Sequence, residues 1–148
     1  MTFTEPTFTE PIFTETETDY LRTQDLGRLA TVQPDGTVQN SPVGFRYNSA
    51  LATIDIGGYN MAASQKFRNL TGNDRVAFVV DDILSRQPWR VRCLEIRGTA
   101  EQVHTPDRPW AGTDGAIIRI RPRRIISFGL EELDRDPHLL VANKRNVH

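Results

Sequence analysis

Runs of alternating apolar and polar residues dominate the chain from Arg28 onward. A period of two is the mark of half-buried strands. Residues 28–47, "RLATVQPDGTVQNSPVGFRY", read as two strands joined at Pro34-Asp35-Gly36, because Asp-Gly between extended runs is a strong hairpin signal. "ALATIDI" is a third strand, with Ala52, Ile54 and Ile56 on one face and Thr53 and Asp55 on the other. "RVAFVVDD" is apolar on both faces, as a doubly covered strand is. In "WRVRCLEIRGTAEQV" the apolar phase runs Trp89, Val91, Cys93 and then shifts to Leu94 and Ile96. That shift predicts a bulge that re-aims the Trp89 end. In "AIIRIRPRRIISFGL" Ile118, Ile120, Ile126, Phe128 and Leu130 share one parity, and Arg119, Arg121 and Arg123 take the other. Pro122 makes this an edge strand or two strands in line. "DPHLLVANKRNVH" reads as a loop or a loosely packed tail.

Helical periodicity is confined to two places. Thr18 is a fitting N-cap for a short helix that ends near Gly27. Ala63, Phe67 and Leu70 fall at i, i+4 and i+7, an apolar stripe stopped by Gly72. Strands in succession with so little helix between them do not alternate as βαβ units. They predict a mainly β protein, an antiparallel barrel with a few helices.

Composition narrows the class. The 148 residues suit one domain, with 38% hydrophobic and 25% charged residues. That fills one modest core, and a dimer sharing core surface fits it. A net charge of -1 gives no argument for nucleic acid or membrane binding. The lone Cys93 excludes a disulfide scaffold and suits a reducing cytoplasm. The N-terminus lacks the basic start and apolar run of a signal peptide. It carries instead the repeat "TFTEP", "TFTEP", "IFTET", with Phe3, Phe8 and Phe13 five residues apart. This spacing matches no regular element, and Pro6 and Pro11 discourage pairing. Residues 1–15 are therefore expected to be a flexible arm and residues 16–148 a single domain. A second reading anchors the phenylalanines on a partner subunit.

The chemistry concentrates in "GGYNMAASQKFRNL", residues 57–70, where a strand gives way to a helix. Two glycines allow positive φ and close approach to a ligand. A helix start offers unpaired N–H groups and partial positive charge. Ser64 adds a hydroxyl and Lys66 a compact cation. Together they describe an anion cradle, though a plain turn before a solvated helix has the same pattern. His104, His138 and His148 lack zinc-site spacing. No Gly-x-Ser-x-Gly elbow and no Gly-x-Gly-x-x-Gly fingerprint is present. Asp81-Asp82 reads as a strand-end turn, and Cys93 as core.

From Gly27 to about Leu130 the chain resembles the split-barrel flavin and deazaflavin reductases related to pyridoxamine phosphate oxidase. The features in order are "GRLATVQPDGTVQNSPVGF", a strand ending in Gly and an aromatic residue, Ser-x-Lys, "NDRVAFVVDD", and "IRGTAE". The resemblance implies an FMN-binding-protein-like split barrel of roughly six to seven antiparallel strands. It implies a cofactor phosphate held near Ser64, Gln65 and Lys66, with Gly58, Tyr59 and Asn60 alongside. It places the ring system against Asn40, Ser41, Pro42 and Val43, and Trp89 of a partner subunit over it, so that a homodimer shares the site. The C-terminal Arg-x-His pair of the pyridoxamine phosphate oxidases themselves is missing, since "KRNVH" is spaced differently. The ending "IIRIRPRRIISFGLEE" is similar to the subgroup that uses coenzyme F420, which includes reductases acting late in tetracycline biosynthesis. Hydride transfer to a conjugated C=C is the implied reaction, with Tyr59 or Arg92 available to the developing enolate. Lys66, Arg68, Arg90, Arg92 and Arg97 are the cations that could meet a phosphodiester tail, although arginines on a solvated strand face look the same. The alternatives are FMN on the same fold, a non-catalytic flavin or tetrapyrrole carrier, and an interaction module built on the "TFTEP" arm.

Overall fold

The computed structural model describes residues 10–107 and 110–148. Its strands are β1 (Leu26–Val32), β2 (Val38–Gly44), β3 (Arg46–Asn48), β4 (Thr53–Gly57), β5 (Arg75–Arg86), β6 (Trp89–His104), β7 (Ala116–Phe128) and β8 (Asn143–Asn146). All pair antiparallel in one sheet of order β2-β1-β5-β6-β7-β4-β3, with β8 added on β7. The sheet curls until β2 touches β4, yet the two share no ladder. The result is a mainly β split barrel whose seam runs between those strands. Leu29, Ile54, Ile56, Phe78, Leu94, Ile96, Ile118 and Ile120 fill its interior. No helix among the described residues is long and apolar enough to cross a membrane.

The β1–β2 hairpin closes at Pro34-Asp35-Gly36 as expected, with the Gln33 N–H donating to the Thr37 carbonyl at 2.8 Å. The first helix differs from its expectation. Helix α1 spans Glu15–Thr23, and Thr14, not Thr18, is the N-cap. The Thr14 hydroxyl accepts from the Glu17 N–H while the Glu17 carboxylate accepts from the Thr14 N–H, a reciprocal capping box. Of the repeat phenylalanines, Phe3 and Phe8 lie outside the described residues, whereas Phe13 is 4% exposed and stacks edge-on against Tyr47. The packed chain thus reaches back to Ile12 and Phe13.

Two long strands also depart from the sequence pattern. No bulge lies at Cys93–Leu94, where the β5–β6 ladder is continuous. Leu94, Ile96 and Ala100 face the barrel, and Trp89, Val91 and Cys93 face the opposite side. The register slips on the neighbouring strand, at Leu84, beside the Trp89 end. β7 is one unbroken strand flanked by β6 on one side and β4 and β8 on the other, so it is not an edge strand. Its bulge at Arg123 moves the buried parity from Ile118, Ile120 and Pro122 to Ile125 and Ser127. Ile126 and Phe128 therefore turn away from the parity expected of them. The bulge tolerates Pro122, and the Val147 N–H takes the Arg123 carbonyl at 2.8 Å.

The C-terminal segment is not loose. β8 pairs with β7, Val147 joins the core, and Arg145 binds Glu17. Asp81-Asp82 is not a turn but part of β5, where Asp81 pairs with Arg28 and Asp82 with Arg92.

Candidate functional site

A groove of about 490 Å³ opens at the barrel seam. One wall is the end of β2, Pro42 to Gly44. The other is the end of β4, the turn Gly58-Tyr59-Asn60, the 3₁₀ turn Met61–Ala63 and the start of helix α2, Gln65–Gly72. The seam brings together Pro42, Val43, Gly58, Tyr59, Asn60, Ser64 and Lys66, seven of the residues the family resemblance assigned to a cofactor. Gly44, Gly57, Met61 and Ala63 complete the lining.

The other four assigned residues stand apart from the lining. Asn40 is exposed on the outward face of β2, two residues along from Pro42. Ser41 points the other way, and its buried Oγ has no hydrogen-bond partner. Gln65 donates to the Asn69 side chain at 2.7 Å and accepts from Arg68, so it reinforces α2. Trp89 is 48% exposed and borders a separate apolar hollow with Val91, Phe128, Pro137 and Leu140. Within one chain it does not reach the groove lining.

Local chemistry explains the helix start. Ser64 is the N-cap of α2, and its hydroxyl accepts from the Phe67 N–H at 3.3 Å. The same hydroxyl donates to the Met61 carbonyl at 2.6 Å, so it is not the free donor the sequence suggested. The N–H groups of Gln65 and Lys66 occupy the first turn, where the helix offers no acceptor. Lys66 takes part in none of the ion pairs among the described residues. The apolar stripe is Phe67 and Leu70, with Met61 in place of Ala63, which is exposed. Buried Asn69 donates to Thr31 and Gln39, tying α2 to the β1–β2 hairpin.

Neither glycine adopts a positive φ, and only Gly57 is needed for close approach: a Cβ on Gly58 would make ordinary contact with Met61 at 3.8 Å. A Cβ on Gly57 would stand 2.6 Å from the Trp110 ring, a contact that no side chain can make. The loop before β7 thereby reaches the groove wall, which the sequence did not foretell. Asp114 fastens it: its N–H donates to the Gly58 carbonyl at 2.9 Å, and its carboxylate accepts from the Ala62 N–H at 3.1 Å. Thr113-Asp114-Gly115 is legible as a turn, but its partner lies 52 residues upstream.

The candidate arginines are occupied elsewhere. Arg92 forms a two-pronged pair with Asp82 and lies over the Tyr20 ring. This hydrogen bonding raises the Arg92 pKa and lowers that of Asp82. Burial, chiefly, and the hydrogen bond to Asp82 raise the Tyr20 phenol as well. The trio clasps α1 to the sheet. Arg90 pairs with Asp136, Arg97 with Glu95, and Arg68 bonds Gln65. Cys93 is half-buried on the outer face rather than in the core. Burial, with Asp81 and Glu95 close by, pushes its thiol up to about 11, so it is no nucleophile at neutral pH.

The family model described as Pyridoxamine 5'-phosphate oxidase matches residues 13–134. The chain belongs to the pyridoxamine 5'-phosphate oxidase family. A relative from Streptomyces rimosus subsp. rimosus, 5a,11a-dehydrotetracycline/5a,11a-dehydrooxytetracycline reductase, is 48% identical over 118 residues, covering 78% of this chain and 82% of its own. Among solved structures, an F420 reductase matches at TM-score 0.54 and 28% identity, over 70% of this chain and 91% of its own. A conserved hypothetical protein from Mycobacterium tuberculosis shares the fold at TM-score 0.67 and 24% identity, over 89% of this chain and 94% of its own.

Proposed function

We propose that this family member is a reductase that uses F420 to reduce a conjugated C=C of a dehydrotetracycline-type polyketide. The observation that carries the reading is the seam groove, whose two walls are lined by seven of the residues that the family resemblance assigns to the cofactor. The 48% identity to the dehydrotetracycline reductase supports the acceptor, and the likeness to an F420 reductase supports the cofactor.

The residues present fit such a group. Lys66 and the first-turn N–H groups of α2 suit an anionic stalk. β2 is a terminal strand, so its seam-side backbone groups lack a ladder partner and can bind the polar edge of a ring. Pro42 and Val43 supply an apolar wall that limits water. When bound, F420 supplies the hydride; the protein supplies position and electrostatics. On this reading Trp89 of a second copy covers the groove, as the family resemblance implies, and the site belongs to a homodimer.

Of the two donors the resemblance offers to a developing enolate, Tyr59 lines the groove, whereas Arg92 lies outside the lining and is paired with Asp82. Tyr59→Phe is expected to lower kcat on the order of tenfold or more, with cofactor Kd unchanged. Steady-state kinetics check this; full activity assigns the proton to solvent.

The reading itself is tested by fluorescence titration of the purified protein with F420 and, separately, with FMN. Binding of F420 followed by its oxidation on adding 5a,11a-dehydrotetracycline is the expected result. Selective FMN binding replaces the cofactor, and stoichiometric binding without turnover on any enone makes the protein a carrier.

A further inference from the structure

We infer that Arg46, Trp110 and Tyr59 form a docking lip that receives the planar, anionic part of the acceptor; this rests on the reductase reading above. Pro42 and Gly44 line the groove, and Arg46 follows at the next alternate position, exposed. Its guanidinium stacks over the Trp110 ring at 4.8 Å. No ion pair among the described residues involves Arg46. A guanidinium with one face on an indole and no carboxylate keeps its planar fork of N–H donors for an outside anion.

Trp110 is set there by construction. It packs on the Cβ-less face of Gly57, a groove residue. Gly112, at φ +85°, brings the same loop against Tyr59: a Cβ there would lie 3.1 Å from the phenol ring. The two Asp114 hydrogen bonds to Gly58 and Ala62 hold loop and turn together. Yet Tyr59 remains 82% exposed. An aromatic ring held in place and left in water beside a groove is a stacking surface without its partner.

The chemistry of the three residues selects a flat, conjugated ligand with delocalised negative charge. An ionised 1,3-dicarbonyl on a fused-ring polyketide is of that class. A hydrophobic but uncharged enone satisfies the rings and leaves Arg46 unused. Lys66, on α2, then serves the cofactor, while Arg46, on β3, serves the acceptor.

The test compares wild type with Arg46→Ala, Arg46→Lys and Trp110→Ala. Arg46 is exposed, so its variants are expected to fold. With 5a,11a-dehydrotetracycline, KM is expected to rise about tenfold in Arg46→Ala, with kcat and the F420 Kd unchanged. Arg46→Lys recovers only part of the loss, since an ammonium lacks the fork. An unchanged KM in active Arg46→Ala and Trp110→Ala overturns the lip and leaves the reductase intact. A raised F420 Kd in Arg46→Ala also overturns it and assigns Arg46 to the cofactor. Wild type inert toward the acceptor overturns the reductase reading instead. Calorimetric titration with tetracycline then decides the lip: binding weakened about tenfold by Arg46→Ala upholds it, and no binding to wild type rejects it.

Discussion

Replacing Arg145 by alanine is expected to cost about 3 kcal/mol of folding stability, the lower end for breaking a buried pair. Glu17 is 1% exposed, at the first turn of α1. Its carboxylate accepts from the Arg145 guanidinium at 2.9 Å, from Ser127 at 3.2 Å and from the Thr14 N–H at 2.9 Å. Arg145 also donates to the Ile12 carbonyl at 2.7 Å. One side chain on β8 thus ties both ends of the described chain to the barrel. Without it, a carboxylate stays buried with no cation. The arginine side chain keeps 25% of its exposure, so water reaches the pair and moderates the loss. The figure is still a large share of the roughly 5–15 kcal/mol that holds a domain folded. Urea unfolding measures it. Glu17→Gln combined with Arg145→Met should recover part of the loss, because no charge is then stranded. A loss below about 0.5 kcal/mol in the single variant makes the pair equivalent to an ordinary surface bridge.

Lys66→Ala is expected to weaken F420 binding roughly ten- to a hundredfold, the worth of a charge-assisted hydrogen bond. Lys66 lines the groove, sits in the first turn of α2 and enters no ion pair among the described residues. Its charge is therefore not already spent within the protein. Part of the binding energy is Coulombic and half-screened, so wild-type affinity should fall as salt rises, and fall less steeply in the variant. Fluorescence titration at two ionic strengths reads both effects. An unchanged Kd at low salt removes Lys66 from the cofactor site.

Local rules reached far into this fold. Pro34-Asp35-Gly36 closes a hairpin because few other backbone solutions join two extended runs so tightly. The Thr14-to-Glu17 spacing of a capping box is also legible, and it outweighs Thr18 as the helix start because it satisfies two backbone N–H groups at once. The strand phases were less transparent. In β6 both parities carry apolar side chains, since one faces the barrel and the other a second apolar surface, and the change of phase imitates a bulge. In β7 a true bulge at Arg123 hides in an arginine run, where alternation gives no warning. The tail escaped notice because Arg145 and Val147 are stabilised by partners more than a hundred residues and some twenty residues upstream.

The chain's own pattern determined a mainly β domain and a short helix after a paired glycine with a lysine near its start, because each depends on neighbours within a few residues. Only the tertiary structure decided which strands border the seam, that Asp114 and Trp110 return to the glycine turn, and that Arg92 is consumed by Asp82. Those outcomes depend on contacts between remote segments, where the energy comes from exact fit and desolvation and leaves no periodic trace along the sequence.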